Sequence, residues 1–226
     1  MVPEITLVIT TWPNHPKRWE YFMFCIPKVL QEVTASGHKI NYAVLSESEH
    51  DPLHNWYGEH LKEFCQANDL PLTFRQGPPH LGKMMNAAMK ASKTKYTMIV
   101  QDDWFLEHPC DLSPGIQHME DHPEIDTIRY SWPGEARVTV CGEFHGWRKL
   151  DPAGSWPYGD DPHIKRDTFV KRFGPYLEHG QHGISEGAMG YVMRDNKALI
   201  LLADRCYFGH CGLVPAVVND LRGDFR

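Results

Sequence analysis

No stretch of this 226-residue chain stays apolar for the roughly 18 consecutive residues that a membrane helix needs. No basic segment with an apolar core precedes the first strand-like run. Neither a span nor a secretion signal is expected, and the cytoplasm is the expected location. Positive charge is not in excess: 23 Lys and Arg face 29 Asp and Glu, for a formal net charge of −6. That balance excludes a surface built throughout for nucleic acid and leaves only a local basic patch open. The six cysteines, Cys25, Cys65, Cys110, Cys141, Cys206 and Cys211, form no CxxC pair, so free thiols are the plainer reading. Cys206, His210 and Cys211 lack a second ligand pair at normal spacing, which argues against structural zinc.

Two nucleotide-binding signatures are also missing. No GxGxxG follows the first strand, against a dinucleotide oxidoreductase. No GxxxxGK(S/T) loop exists, against a P-loop enzyme.

What is present is a β-α rhythm. "ITLVIT" (5–10) reads as a buried strand. A helix over 17–36 follows, opened by Pro16 and closed by Gly37, with Tyr21, Phe24, Cys25, Val29 and Val33 on one stripe. "INYAVLS" (40–46) is a second strand, Tyr57, Leu61, Phe64 and Cys65 mark a helix face, and "LTFRQ" (72–76) is a third strand. "HLGKMMNAAMKAS" (80–92) is a helix, and "YTMIV" (96–100) is a fourth strand. This pattern predicts an α/β fold, a mostly parallel twisted sheet flanked by helices, with ligands at the strands' carboxyl ends. Beyond it come a helix over 112–121, a strand over 126–132 and a hairpin in "RVTVCGEFHGWRKL". "IKRDTFVKRFGP" reads as a basic helix and "SEGAMGYVM" as a last helix. One domain, 1–226, is expected, with 133–226 forming a smaller lobe.

The fourth strand stops at Gln101, Asp102 and Asp103. Alternation along a strand puts Gln101 and Asp103 on one side and Asp102 on the other. A strand-end carboxylate can hold Mg²⁺ or Mn²⁺ beside a substrate phosphate; it can equally end the strand and cap a turn.

With these parts in this order, the chain resembles the GT-A glycosyltransferases, the family-2-like group in particular. The resemblance rests on "VITTWPNHPKR", "HLGKMMNAAMKAS" and "YTMIVQDDW" and covers 5 to about 132. It implies a GT-A fold with 1–132 holding a nucleotide-sugar, UDP-linked by expectation, and 133–226 holding the acceptor. Thr10, Thr11, Trp12 and Glu47 would cradle base and ribose. Gly82, Lys83 and Asn86 would approach sugar or diphosphate, with Gln101 and Asp102 beside them. Asp103 would take the metal place of a DxD-type motif, with His210 as a late metal ligand and Mn²⁺ or Mg²⁺ as the cation. Gln101 departs from the pattern, standing where the family has an acid, and Arg18 is near enough to replace an arginine missing at His15. Glu186, after Ser185 as a helix N-cap, would be the catalytic base of an inverting hexosyl or pentosyl transfer, its ionised form favoured by the helix terminus.

Acceptor candidates are Trp156, Asp160, Asp161, Lys165 and Arg166. Trp132, Trp147 and Tyr158 either stack on sugar rings or fill the core. The expected acceptor is a glycan hydroxyl, with a modified DNA base as the alternative that the basic "HIKR…VKR" stretch allows. A nucleotidyltransferase ranks lower for want of a glycine loop after the first strand, and a non-catalytic binding protein is kept open by Gln101.

Overall fold

The computed structural model describes residues 3–12, 17–48, 52–76, 80–132, 138–154, 158–180 and 184–211. The first half contains β1 (Ile5–Thr11), α1 (Lys17–Glu32), β2 (Val33–Thr34), β3 (Ile40–Ser48), α2 (Pro52–Ala67), β4 (Leu72–Gln76), α3 (Leu81–Ala91) and β5 (Tyr96–Gln101). Next come β6 (Trp104–Leu106), β7 (Cys110–Asp111), α4 (Ser113–Asp121) and β8 (Thr127–Arg129). The second half contains β9 (Val140–Phe144), β10 (Trp147–Leu150), β11 (His163–Arg166), α5 (Phe169–Phe173), α6 (Ile184–Asp195), β12 (Ile200–Leu202) and β13 (Phe208–His210).

A nine-stranded sheet runs in the order β4-β3-β1-β5-β11-β8-β12-β10-β9. The β4, β3, β1 and β5 strands are mutually parallel. All seven positions of β1 are buried, which explains its unbroken apolar run: helices cover both faces. Ile5, Leu7 and Ile9 pack in the cluster of Phe22, Ile26 and Val29 from α1 and Tyr57 and Leu61 from α2. Val8, on the other face, packs in the cluster of Met84, Met85 and Ala88 from α3 and Met189 from α6.

The chain moves outward from β1 through β3 to β4, then returns to place β5 on the opposite side of β1. The order therefore reverses between β1 and β5, and a crevice opens beyond their carboxyl ends. Thr10 pairs with Gln101 at that end.

The later half, expected as a smaller lobe, shares the main sheet with the first half. The first-half strand β8 lies between β11 and β12, so the two halves interleave in one sheet. The β11 strand is antiparallel to both β5 and β8. The expected basic helix over 164–173 divides in two: His163 to Arg166 form this interior strand, and helix begins at Phe169. The apolar residues Phe169, Val170 and Phe173 kept helical spacing, whereas Lys165 and Arg166 hid a strand behind polar letters. The first helix ends at Glu32, not Ser36, because Val33 and Thr34 pair with β7. Phe24, placed on its buried stripe, is 53 % exposed. No helix among the described residues is long and apolar enough to cross a membrane.

Candidate active site

The acid turn follows directly from the end of β5. Asp102 N–H donates to Thr10 O at 3.0 Å, so the turn is tied to the end of β1. Asp102 is fully buried, and its Oδ2 accepts from Thr11 Oγ1 at 2.5 Å and from Tyr57 OH at 3.4 Å. Arg18, from the first turn of α1, donates through Nη2 to Asp102 Oδ1 and through Nη1 to Asp103 Oδ2, the latter at 2.8 Å. The strict alternation expected for 101–103 thus fails. The strand has ended at Gln101, and the turn brings both acids to one guanidinium.

His210, on β13, completes this group. The β13 strand pairs with β6, placing His210 opposite Trp104, and Cys211 N–H donates to Asp103 O at 2.9 Å. His210 Nε2 lies 3.4 Å from Asp103 Oδ2. Burial raises Asp102 above the usual carboxylate range, against the pull of Arg18. Burial acts the same way on Asp103, but His210 and Arg18 together hold it well below that range. Burial lowers His210, and the hydrogen bond and charge of Asp103 outweigh it, so His210 sits above its ordinary value.

A cleft opens beside the turn, lined by Thr10, Thr11, Trp12, Arg18, His80 and Gln101, with Leu81, Met84 and Asp102 behind. Five of the expected donor residues therefore line one cleft: Thr10, Thr11, Trp12, Gln101 and Asp102. Glu47 is described only as backbone, paired in register with Arg75 of β4.

On the far side of Gln101 lies the acceptor-side group. Gln101 Nε2 donates to Asp160 Oδ2, and Asp160 N–H donates to Glu186 Oε1 at 2.7 Å. The antiparallel direction of β11 explains the meeting: its leading end, just after Asp160, lies beside the carboxyl end of β5. Glu186 is pushed up to about 9, by burial first and then by the charge of Asp160. The expected helix-terminus preference for its ionised form is overridden, because desolvation and a like charge act at closer range. Ser185 is not an N-cap but lies inside α6, where its hydroxyl donates to Leu177 O at 2.7 Å.

Other expected residues do structural work. A Cβ at Gly82 would fall 1.9 Å from Leu177 O, so this glycine permits close approach of the 177 segment. Asn86 clips the same segment: its Nδ2 donates to Tyr176 O and Glu178 Oε1 at 2.9 and 2.7 Å, and its Oδ1 accepts from Tyr176 N–H at 2.8 Å. Both were expected at the donor; the contacts they make here are with the chain's own 176–178 segment. Lys83 is half-buried on α3. Arg166 donates to Ile125 O at 3.0 Å and to His122 O at 3.1 Å, and also to Met119 O, so it is committed to backbone carbonyls. Lys165 is fully buried, with Nζ over the rings of Tyr158, Phe169 and Tyr176 at 5.4–5.7 Å. Asp161 is buried against Arg129 and raised to about 6 by that burial. Trp132 and Tyr158 are core residues, and Trp147 stacks on His118. Trp156 and His15 lie outside the described residues.

Three solved structures share the architecture. S. aureus TarS superposes with a TM-score of 0.63 at 13% identity, over 96% of this chain and 64% of that one. A CMP:2-keto-3-deoxy-manno-octonic acid synthetase complexed with CTP gives 0.60 at 14% identity, over 97% of each chain. A mannosyltransferase from Pyrobaculum calidifontis, in complex with GDP-Man and Mn²⁺, gives 0.55 at 13% identity, over 92% of this chain and 59% of that one. The fold is of the GT-A type. This chain spans about two thirds of the TarS structure and somewhat less of the mannosyltransferase. No protein-family model and no curated protein sequence matches it.

The cation expected of a GT-A site meets a different donor set here. Both Asp102 oxygens are bonded by Thr11, Tyr57 and Arg18, and Gln101, in an acid's place, bonds Asp160. Only Asp103 Oδ1 is left without a hydrogen-bond partner among the described residues. Among those residues no group of three or more His, Cys, Asp and Glu side chains is arranged to hold a metal ion. The described side chains therefore do not fit the expected Mn²⁺ or Mg²⁺ site. Sequence reasoning missed Tyr57 and His80. Tyr57 was hidden in a helix's apolar stripe, and His80 gave no signal beyond its place before α3.

Proposed function

We propose that this chain is a glycosyltransferase that moves a sugar from a nucleotide-diphosphate donor to an acceptor hydroxyl. The observation that carries the reading is the crevice between β1 and β5. There a cleft lined by Thr10, Thr11, Trp12 and Arg18 lies next to the carboxyl pair Asp160–Glu186, with Gln101 joining the two. In this arrangement the nucleotide lies along the β1 end, and its diphosphate faces Arg18. The sugar's anomeric carbon points towards Gln101 and Asp160. Bond breaking there builds positive charge on the ring, which the carboxyl pair offsets. Glu186, once ionised, takes the proton from the attacking hydroxyl. Attack from the side opposite the diphosphate inverts the anomeric carbon. The mannosyltransferase neighbour supports a sugar-nucleotide donor. UDP remains the expected nucleotide and a glycan the expected acceptor. The DNA-base alternative loses its motive, since Lys165 and Arg166 face the interior rather than forming a basic helix face.

A second reading, nucleotidyl transfer from a nucleoside triphosphate to a sugar, is favoured by the synthetase neighbour of matching extent. Incubation with radiolabelled UDP- and GDP-sugars, and separately with nucleoside triphosphates plus sugars, tests both. Release of a nucleoside diphosphate with sugar on an acceptor or on water supports the glycosyltransferase. Release of pyrophosphate together with formation of a nucleotide-linked sugar supports the synthetase. Nucleotide binding without either product leaves a binding protein.

A further inference from the structure

We infer that Arg18 stands in the cation's place in this chain, so that a donor diphosphate is bound by a guanidinium without metal; this rests on the donor reading above. Arg18 reaches the turn from the first helical turn of α1, and its side chain lines the cleft. Each of its two terminal nitrogens holds one acid. A guanidinium offers five N–H donors in one plane, so three remain after the two acids are served. Its Nε has no hydrogen-bond partner among the described residues, although it is buried and the side chain lines the cleft. Unused donors of a planar fork, on a side chain that lines a cleft, suit phosphate oxygens.

The acids then have a different task from ligation. A cation this deeply placed needs fixed counter-charge to stay charged and oriented. Asp102 is itself immobilised by Thr11, Tyr57 and Thr10 O, so it acts as a rigid post for Arg18. Asp103 holds the second arm and is braced by His210. Asp102 and Asp103 are in this account positioning residues, and Arg18 is the group that meets the donor. Gln101 follows the same logic: a third acid would over-compensate a single guanidinium, whereas an amide can hold Asp160.

The test uses the full chain with UDP, GDP, CDP and ADP as probes, each with excess EDTA or with Mn²⁺. Thermal shift reports nucleotide binding, and loss of the free Mn²⁺ electron-spin resonance signal reports metal uptake. The expected result is that one nucleoside diphosphate raises Tm equally in both conditions and that wild-type protein leaves the Mn²⁺ signal intact. Arg18→Gln should lose nucleotide affinity at least tenfold in EDTA and should begin to take up Mn²⁺ through the freed acids. Arg18→Lys, which keeps charge without the fork, should lie between. A shift that needs Mn²⁺ in the wild type, or Mn²⁺ uptake by the wild type, overturns the inference and leaves the donor reading standing. No shift with any nucleotide in either condition overturns both. Should Arg18→Gln fail to fold, the wild-type arms decide alone.

Discussion

Lys165 is an ammonium-bearing side chain enclosed by three aromatic rings, with no hydrogen-bond partner for Nζ among the described residues. Burial lowers it to about 7. The unfolded chain binds its proton more tightly, so this residue costs stability as pH falls from about 10.5 towards 7. Lys165→Met should therefore raise stability near neutral pH by roughly 1–3 kcal/mol, because it removes an unsatisfied buried donor and keeps the packing. Denaturant unfolding at pH 7 checks this; a loss would mean that Nζ has a favourable role. Glu186 poses the opposite question, since a base must first lose its proton. The rate of sugar transfer should rise with pH as Glu186 ionises. Asp160→Asn removes the like charge and should move that limb down by about one pH unit. If Asp160 were only a structural support, its loss would lower the rate at every pH without moving the limb.

At the scale of elements, the contact of α3 with the 176–178 segment joins the two sides of the crevice. Gly82 lets the backbone of 177 approach, Asn86 bonds to both sides of it, and Ser185 donates to Leu177 O from α6. Asn86→Ala leaves Tyr176 N–H without this acceptor and should cost about 1–3 kcal/mol. Gly82→Ala should cost at least as much, and the double variant should cost less than the sum, because both disturb one contact. Thermal unfolding of the three variants measures the coupling. This element also shows what sequence could reveal. The parallel order β4-β3-β1-β5 was legible because buried runs and helical stripes alternate there at clear periods. The acid turn was legible because Gln101 to Asp103 interrupt an apolar strand. The role of Asn86 was not, since an amide that clips backbone looks the same in sequence as one that meets a ligand. The β11 strand was missed because Lys165 and Arg166 look solvent-facing until their partners are known. Arg18 was read only as a nearby cation, since its bridge to 102 and 103 spans more than 80 residues of sequence.

Across the whole molecule, pH acts on groups with opposite signs. Glu186 is raised from 4.5 to about 9, so the folded state holds its proton longer than the unfolded chain. Its contribution is complete below about pH 4.5 and is lost as pH rises towards 9. Asp103 is lowered, and its contribution is present above 3.8 and lost as pH falls further. Glu186→Gln should leave Tm unchanged near pH 4.5 and raise it at pH 8, which melting curves across pH would show. Equal effects at both pH values would mean that Glu186 is not held protonated by the fold. The interleaved sheet also separates the crevice from the outermost strand, β9, by several strands. Cys141 lies exposed on that strand, while Cys25, Cys65, Cys110 and Cys211 are buried and Cys206 is half-buried. A maleimide dye should consequently couple first at Cys141, at about one equivalent per chain. The chain thus carries a natural attachment point, far enough from the crevice for fluorescence or surface immobilisation to report on ligands without obstructing them.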